Sequence, residues 1–506
     1  MAVVGRMAGR NAIDWGFRGI LVGLVAFQLF VPPVLSVADD NDFQKLTGRW
    51  CLGHYPQPVL FDYTDTRWKF SPKACVEWPF RSSAEVALVP AMGLNRLFTS
   101  PVVFDLRWVG VVYAAFFLAG FAWLQRSLRA VSFPASVVAQ AGFVLVSCNA
   151  VYIPNFNTFY FDAATLVALV PALVGIGLLL LRTGVRTSTL VLTAAALTML
   201  ALSKSQHSFL ALVCLPAFWL RRGRKCFPAV WTRACATAVV VAGAGIAIGS
   251  VPAGYAGQAT FSALFYRILP GVSDPAAYLA ETHIPSSYIA LIGKHAFSPG
   301  IPISDPAELR RFAGWFGPSD LAALFLRHPN IAWRMLMIHL DEGSLDRVRM
   351  KTGDVAHRLG NYERSAGKPP QTLSRFFCFW PDIKHYLLAG RPLVYLLYIL
   401  GVVTAAWVLR PNVSGMRPLL AIVTTMLAVS MAVVMVDGVE SGRHLMIFNF
   451  LLDLLAAAVA AFAVERWCGE RTPLTARRVP AARGMRPPLQ ARESPCRCSP
   501  RGASGR

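Results

Sequence analysis

Three carboxylates, Asp39, Asp40 and Asp42, fall within four residues, with Asn41 among them and Phe43 directly after. Like charges this close push one pKa upward, toward the range where a carboxylate can act as a general base near neutral pH. Capping or solubilising a helix end rarely needs three acids side by side. The stretch sits where the first long apolar segment runs out, so these groups must lie in water or in a polar cavity facing it. The next question is which other polar residues share that side of the membrane.

Composition supplies the membrane. The chain has 506 residues, of which 55% are hydrophobic and 15% charged, and its mean hydropathy is +0.48, more apolar than a soluble core of this length needs. A net charge of +22 would suit nucleic acid. The basic residues, however, concentrate between apolar segments and in the tail, as cytoplasmic loops do, so no nucleic-acid partner is expected.

Apolar runs at 15–37, 108–124, 131–153, 163–181, 188–202, 208–220, 234–251, 392–409, 419–436 and 445–464 predict an all-α polytopic membrane protein with about ten transmembrane helices. Arg126 and Arg129, Arg182 and Arg186, the cluster Arg221 to Lys225, and Arg410 and Arg417 then fall on one side. The opposite short loops hold only Lys204 and Arg443, which places both termini in the cytoplasm. Residues 1–251 form an N-terminal bundle with a first external loop at 38–106. Residues 252–391 are a large external helical loop domain, 392–466 the C-terminal helices, and 467–506 a basic, disordered tail. Inside the large loop, Leu321, Leu324, Leu326, Ile331, Met335 and Ile338 form an apolar helical stripe over 321–339. Cys51 and Cys75 share the first external loop, where an oxidising compartment permits a disulfide.

This topology sends five clusters to the outer face: the acidic stretch; Asn155, Asn157, Tyr160 and Asp162; Lys204, Gln206 and His207; Asp437, Glu440, Arg443 and His444; and the large loop. Polar residues also cap spans, and Trp50, Trp108 and Tyr160 could be interface anchors. Asp453 is an ionisable group inside a span, a pointer to function, with Asn449 one turn away to satisfy it.

A first transmembrane helix ending in an acidic pair, here Asp39 and Asp40, followed by Phe43, resembles the opening of membrane glycosyltransferases with the GT-C fold. More narrowly, Asp39 to Phe43 with the run 44–52, the stretch 360–370 and the stretch 440–445 resemble bacterial surface-glycan hexose transferases. The resemblance implies an inner-membrane enzyme. It would move a hexose from a polyprenyl-phosphate donor to a glycan, lipid or protein acceptor on the outer face. It implies Asp39 or Asp40 as the general base. Arg443 and Lys204 would hold the donor phosphate, because fixed cations stabilise a developing phosphate charge. Asp42, Asn157, Tyr160, Asp162, Gln206, Glu440 and His444 would line the substrates. Related oligosaccharide-transferring enzymes hold a divalent cation on acids spaced one apart, so Asp40 and Asp42 could hold Mg or Mn, although a full shell needs about six oxygens. No cofactor is firmly expected. Trp50, Tyr55, Trp68 and Trp78 could stack on sugar faces.

Two other functions fit the span layout. An O-antigen ligase or polymerase would use Arg327, His328, Arg334 and His339 of the large loop. A lipid or glycan transporter would need no base, and would show broken helices with charges at the midplane.

Overall fold

The computed structural model describes residues 2–55, 60–182, 184–220, 228–343, 349–352, 355–358, 361–370, 372–436 and 441–471. The chain is mostly helical. Among the described residues, seven helices are long and apolar enough to cross a membrane: Gly9–Phe30, Arg107–Leu128, Phe161–Leu181, Val230–Gly249, Pro392–Leu409, Met416–Met435 and Gly442–Cys468.

The expected count was about ten, and the difference lies in three shorter apolar helices, Phe133–Ser147, Thr187–Ser203 and Ser205–Phe218. At about 1.5 Å per residue each falls short of ~30 Å of hydrocarbon. Each is shortened by a break. The chain leaves the helix after Ser147 and winds into a short 3-10 segment, Ile153–Asn157. Lys204 takes extended angles, φ −155° and ψ 139°, and so divides the other two.

Phe161–Leu181 is the buried axis of the bundle, apolar on all sides, and packs between Arg107–Leu128 and Thr187–Ser203. Pro392–Leu409 and Val230–Gly249 instead expose Leu393, Leu397, Leu400, Val239 and Ile246, as helices facing lipid do. The last helix, Ser441–Arg471, runs past the expected start of the tail at 467. The rest of that tail lies outside the described residues.

A second hydrophobic cluster gathers Phe261, Phe265, Phe312, Leu321, Leu324 and Met335 from the region between the two sets of long helices. The expected stripe is partly right: Leu321, Leu324, Ile331 and Met335 are buried, but Leu326 is 86% exposed. Leu326 lies two residues past Leu324 in the same helix, Pro318–Arg327, on the face opposite it, and Pro329 opens a second helix that carries Ile331 and Met335.

The first loop departs from the all-α expectation. Strands β1 (Leu52–His54), β2 (Arg67–Phe70) and β3 (Val103–Asp105) form an antiparallel sheet in that order, with Leu52 opposite Phe70 and His54 opposite Trp68. Runs of three or four residues are too short for alternation to announce a strand. The expected disulfide Cys51–Cys75 is present and ties the start of β1 to the chain beyond β2. A hairpin pairs Arg349–Thr352 with Val355–Arg358.

Candidate functional site

The acidic stretch forms a tight turn. Asn41 takes a left-handed backbone, φ 79°, which Asn adopts more readily than most residues. The chain doubles back there, so Asp39 Oδ1 accepts hydrogen bonds from the backbone N–H of Asn41 at 2.7 Å and of Phe43 at 3.1 Å. Asp40 Oδ1 accepts one from the N–H of Asp42 at 3.0 Å. Phe43 anchors the turn by packing edge-on against Tyr160 and Phe159.

Arg443, near the start of the last helix, closes the turn from the other end of the chain. Its Nη1 donates to Asp40 Oδ2 at 2.6 Å and its Nη2 to Asp42 Oδ2 at 2.7 Å. The guanidinium lies 4.7 Å from the centre of the Tyr160 ring. Tyr160 in turn donates to the Ala38 carbonyl at 2.8 Å and accepts from the Asp40 N–H at 3.1 Å. Lys45, one turn past Asp42, forms an ion pair with it and donates to Tyr255 Oη at 3.1 Å. Burial disfavours charge at Asp42, yet Lys45 and Arg443 outweigh it and hold its carboxyl well below the ordinary 3.8. Burial also opposes charge on the half-buried Lys45, but Asp42 and Tyr255 raise it above its usual value.

Beside the turn opens a cleft with an empty volume of about 530 Å³, its mouth included. Asp42, Lys45, Arg81, Asp162, Lys204 and Gln206 supply its polar wall, and Phe80, Phe159, Phe161 and Tyr255 its aromatic one. Lys204 Nζ reaches both oxygens of Asp162, at 3.1 and 3.2 Å.

The expected site residues therefore divide. Asp42, Tyr160, Asp162, Lys204 and Gln206 line the cleft. Asp39 and Asp40 sit in the adjoining turn, only 5% and 6% exposed, and His444 is buried next to Arg443. Asn157 is spent on structure: its side-chain amide donates to the carbonyls of Leu29 and Leu35 at 2.9 and 3.0 Å, tying down the end of the first helix. Glu440 and Asp437 lie outside the described residues.

Three other expectations are corrected. Asp40 and Asp42 do not fit a metal, because they share a guanidinium where a cation would sit. Among the described residues no group of three or more His, Cys, Asp or Glu could hold one. Trp68 is 1% exposed and cannot stack on a sugar. Asp453 is satisfied mainly from outside its own helix, by Lys384 at 3.2 Å and Tyr152 at 3.2 Å, while Asn449 serves Lys384 and Tyr395.

Lys45, His54, Asp65, Arg81 and Tyr255 were not among the expected site residues. Only Lys45 carried a local signal, its position three residues after Asp42. The stretch 361–370 also arrives here, with the Asn361 and Tyr362 carbonyls accepting from the backbone N–H of Ser36 and Thr64 at 3.1 and 2.9 Å. In the large loop, His328 pairs with Glu281 at 3.0 Å, Arg334 donates to the Ile268 carbonyl at 3.3 Å, and His339 is fully buried.

A family model described as the YfdI N-terminal transmembrane domain matches residues 17–477. The chain belongs to the YfdI family. The matched span contains the acidic turn, the cleft and Arg443, and it agrees with a membrane protein of several apolar helices. No curated protein and no solved structure matches the chain.

Proposed function

We propose that this YfdI-family protein is a GT-C-type membrane glycosyltransferase. It would move a hexose from a polyprenyl-phosphate donor to a glycan, lipid or protein hydroxyl on the outer face of the bacterial inner membrane. The observation that supports this most is the acidic turn, braced by Arg443 and opening beside a cleft where Lys45, Arg81 and Lys204 gather among aromatic rings. In this topology the three shorter apolar helices complete about ten crossings, both termini are cytoplasmic, and residues 252–391 stand outside.

The carboxylates then take different roles. Asp42, held ionised by two cations, is a weak base, and with Asp40 it positions Arg443. Asp39 takes the proton of the acceptor hydroxyl while the acceptor oxygen bonds to the anomeric carbon. The bond from that carbon to the phosphate oxygen breaks, and its electron pair leaves on the phosphate. Lys204 and Lys45, each anchored on a carboxylate, face that developing charge from fixed positions, where little reorganisation is needed, with the exposed Arg81 beside them. Arg443, committed to carboxylates through both terminal nitrogens, serves the phosphate indirectly by holding the turn.

The test is transfer from radiolabelled polyprenyl-phosphate hexoses in membranes expressing wild type, Asp39→Asn or Asp40→Asn. Label reaching a glycan or lipid in wild type, and lost by roughly 100-fold or more on removing the base, is the expected result. If both variants transfer as well as wild type, the acids are only a polar helix end. The ligase alternative, resting on Arg327 and His328, then takes precedence.

A further inference from the structure

We propose that His54, clamped between Asp39 and Asp65, is a positioning residue that holds the Asp39 carboxylate aimed at the acceptor hydroxyl. The proposal rests on the transferase reading above. His54 Nε2 lies 3.1 Å from Asp39 Oδ2, and Nδ1 lies 2.7 Å from Asp65 Oδ2. An imidazole with a carboxylate on each nitrogen has two acceptors to satisfy, and only the doubly protonated ring can donate to both.

The sheet builds this clamp. His54 ends β1 opposite Trp68 on β2, and the two rings lie 4.1 Å apart between centres with their planes tilted by 38°. Trp68 is buried and its Nε1 donates to the Asp65 carbonyl at 3.0 Å, which fixes Asp65 on the outer side of the histidine. The Cys51–Cys75 disulfide holds the start of the same strand. Asp39 Oδ1 is already taken by two backbone N–H groups, so His54 decides the orientation of the remaining oxygen. One lone pair of Oδ2 stays available for the acceptor proton, and His54 keeps both of its own protons throughout the transfer.

The facing charges are Asp39, from the segment after the first helix, and Asp65, from the approach to β2; Trp68 adds a neutral ring. Burial opposes charge on His54, but the bonds to Asp39 and Asp65 prevail and raise it from 6.5 to about 9. The clamp is therefore complete below pH 6.5 and is lost as pH rises through about 9.

Two measurements on the full-length protein in lipid nanodiscs test this. The first is the titration of His54 followed by 15N NMR of labelled histidine. A midpoint near 9 in wild type that falls by about one unit or more in Asp65→Asn supports the clamp; an ordinary midpoint near 6.5 in wild type overturns it. The second is the pH profile of hexose transfer. Asp65→Asn should draw the alkaline limb downward with the donor KM unchanged, and His54→Gln should lower kcat by about 10-fold or more. Wild-type rates and an unmoved profile in both variants overturn the positioning role. Absence of transfer from every donor in wild type overturns the transferase reading and with it the catalytic purpose of His54, while the titration still decides whether the clamp exists.

Discussion

Arg443 reaches Asp40 across 403 residues of sequence and bonds it at 2.6 Å with a side chain only 4% exposed. The contact joins the turn after the first helix to the start of the last helix. Because the same guanidinium holds Asp42, Arg443 sets the spacing of two like charges that would otherwise repel. Lysine cannot span both carboxylates with a planar fork. Arg443→Lys should therefore lower transfer by about 10-fold or more while much of the fold survives, and Arg443→Ala should cost about 3–5 kcal/mol by taking the guanidinium away from the buried Asp40 carboxylate. Transfer assays paired with thermal unfolding in detergent would separate the two; equal stability for Arg443→Ala and wild type would contradict the brace.

Asp42 gives a dependence on acid. Its carboxyl is held below the ordinary 3.8, so the stability it contributes is complete above that value and drains away as pH falls beneath it. Melting temperature should fall more steeply below pH 4 in wild type than in Asp42→Asn. Superimposable acid limbs would show that Lys45 and Arg443 do not stabilise the ion.

The cleft predicts a division between binding and chemistry. Arg81 lines it beside Lys204 and has no carboxylate on its guanidinium among the described contacts. Arg81→Ala should raise the donor KM by about 10-fold with a smaller change in kcat, read from initial rates against donor concentration. A change in kcat alone would place Arg81 away from the ground-state phosphate.

The disulfide tests the sheet. Cys51 and Cys75 are 24 residues apart, and closing a loop of that size stabilises by about 3 kcal/mol in the chain-entropy account. Cys51→Ser with Cys75→Ser should lower the melting temperature and weaken transfer, because β1 carries His54. Retained transfer at wild-type rates would show that the sheet holds without its tie.

Lys384 and Asp453 are a buried pair, 3% and 1% exposed, 3.2 Å apart. Lys384→Met alone should destabilise by about 3–5 kcal/mol by stranding the carboxylate, whereas Lys384→Met with Asp453→Leu should recover most of the loss. Thermal unfolding of the three proteins decides it, and a double variant no better than the single would mean that the charge of Lys384 was not the issue.

Membrane class, the long apolar helices, the acidic turn and the disulfide partners were all legible in the sequence, because each depends on residue type or on neighbours within a few positions. Lys204 and Arg443, the only cations in the short loops assigned to the outer side, stood out for the same reason, and both arrive at the site. The gap at Lys204 was legible as the polar loop between two apolar runs, whereas the break after Ser147 is a turn of backbone inside the run 131–153, which hydropathy does not register. The roles of these residues belong to tertiary structure. Arg443 was expected to meet a phosphate and instead meets Asp40 and Asp42, because only folding shows which charge lies nearest. His54 and Asp65 carry no periodic signal, and strands of three and four residues with a disulfide bring them in, while Arg81 is tethered by its backbone N–H to Ser250 Oγ. An amino-acid sequence records which groups can ionise and which segments avoid water. Which ions face each other is settled by packing, since Coulomb energy depends on distances that chain separation does not specify.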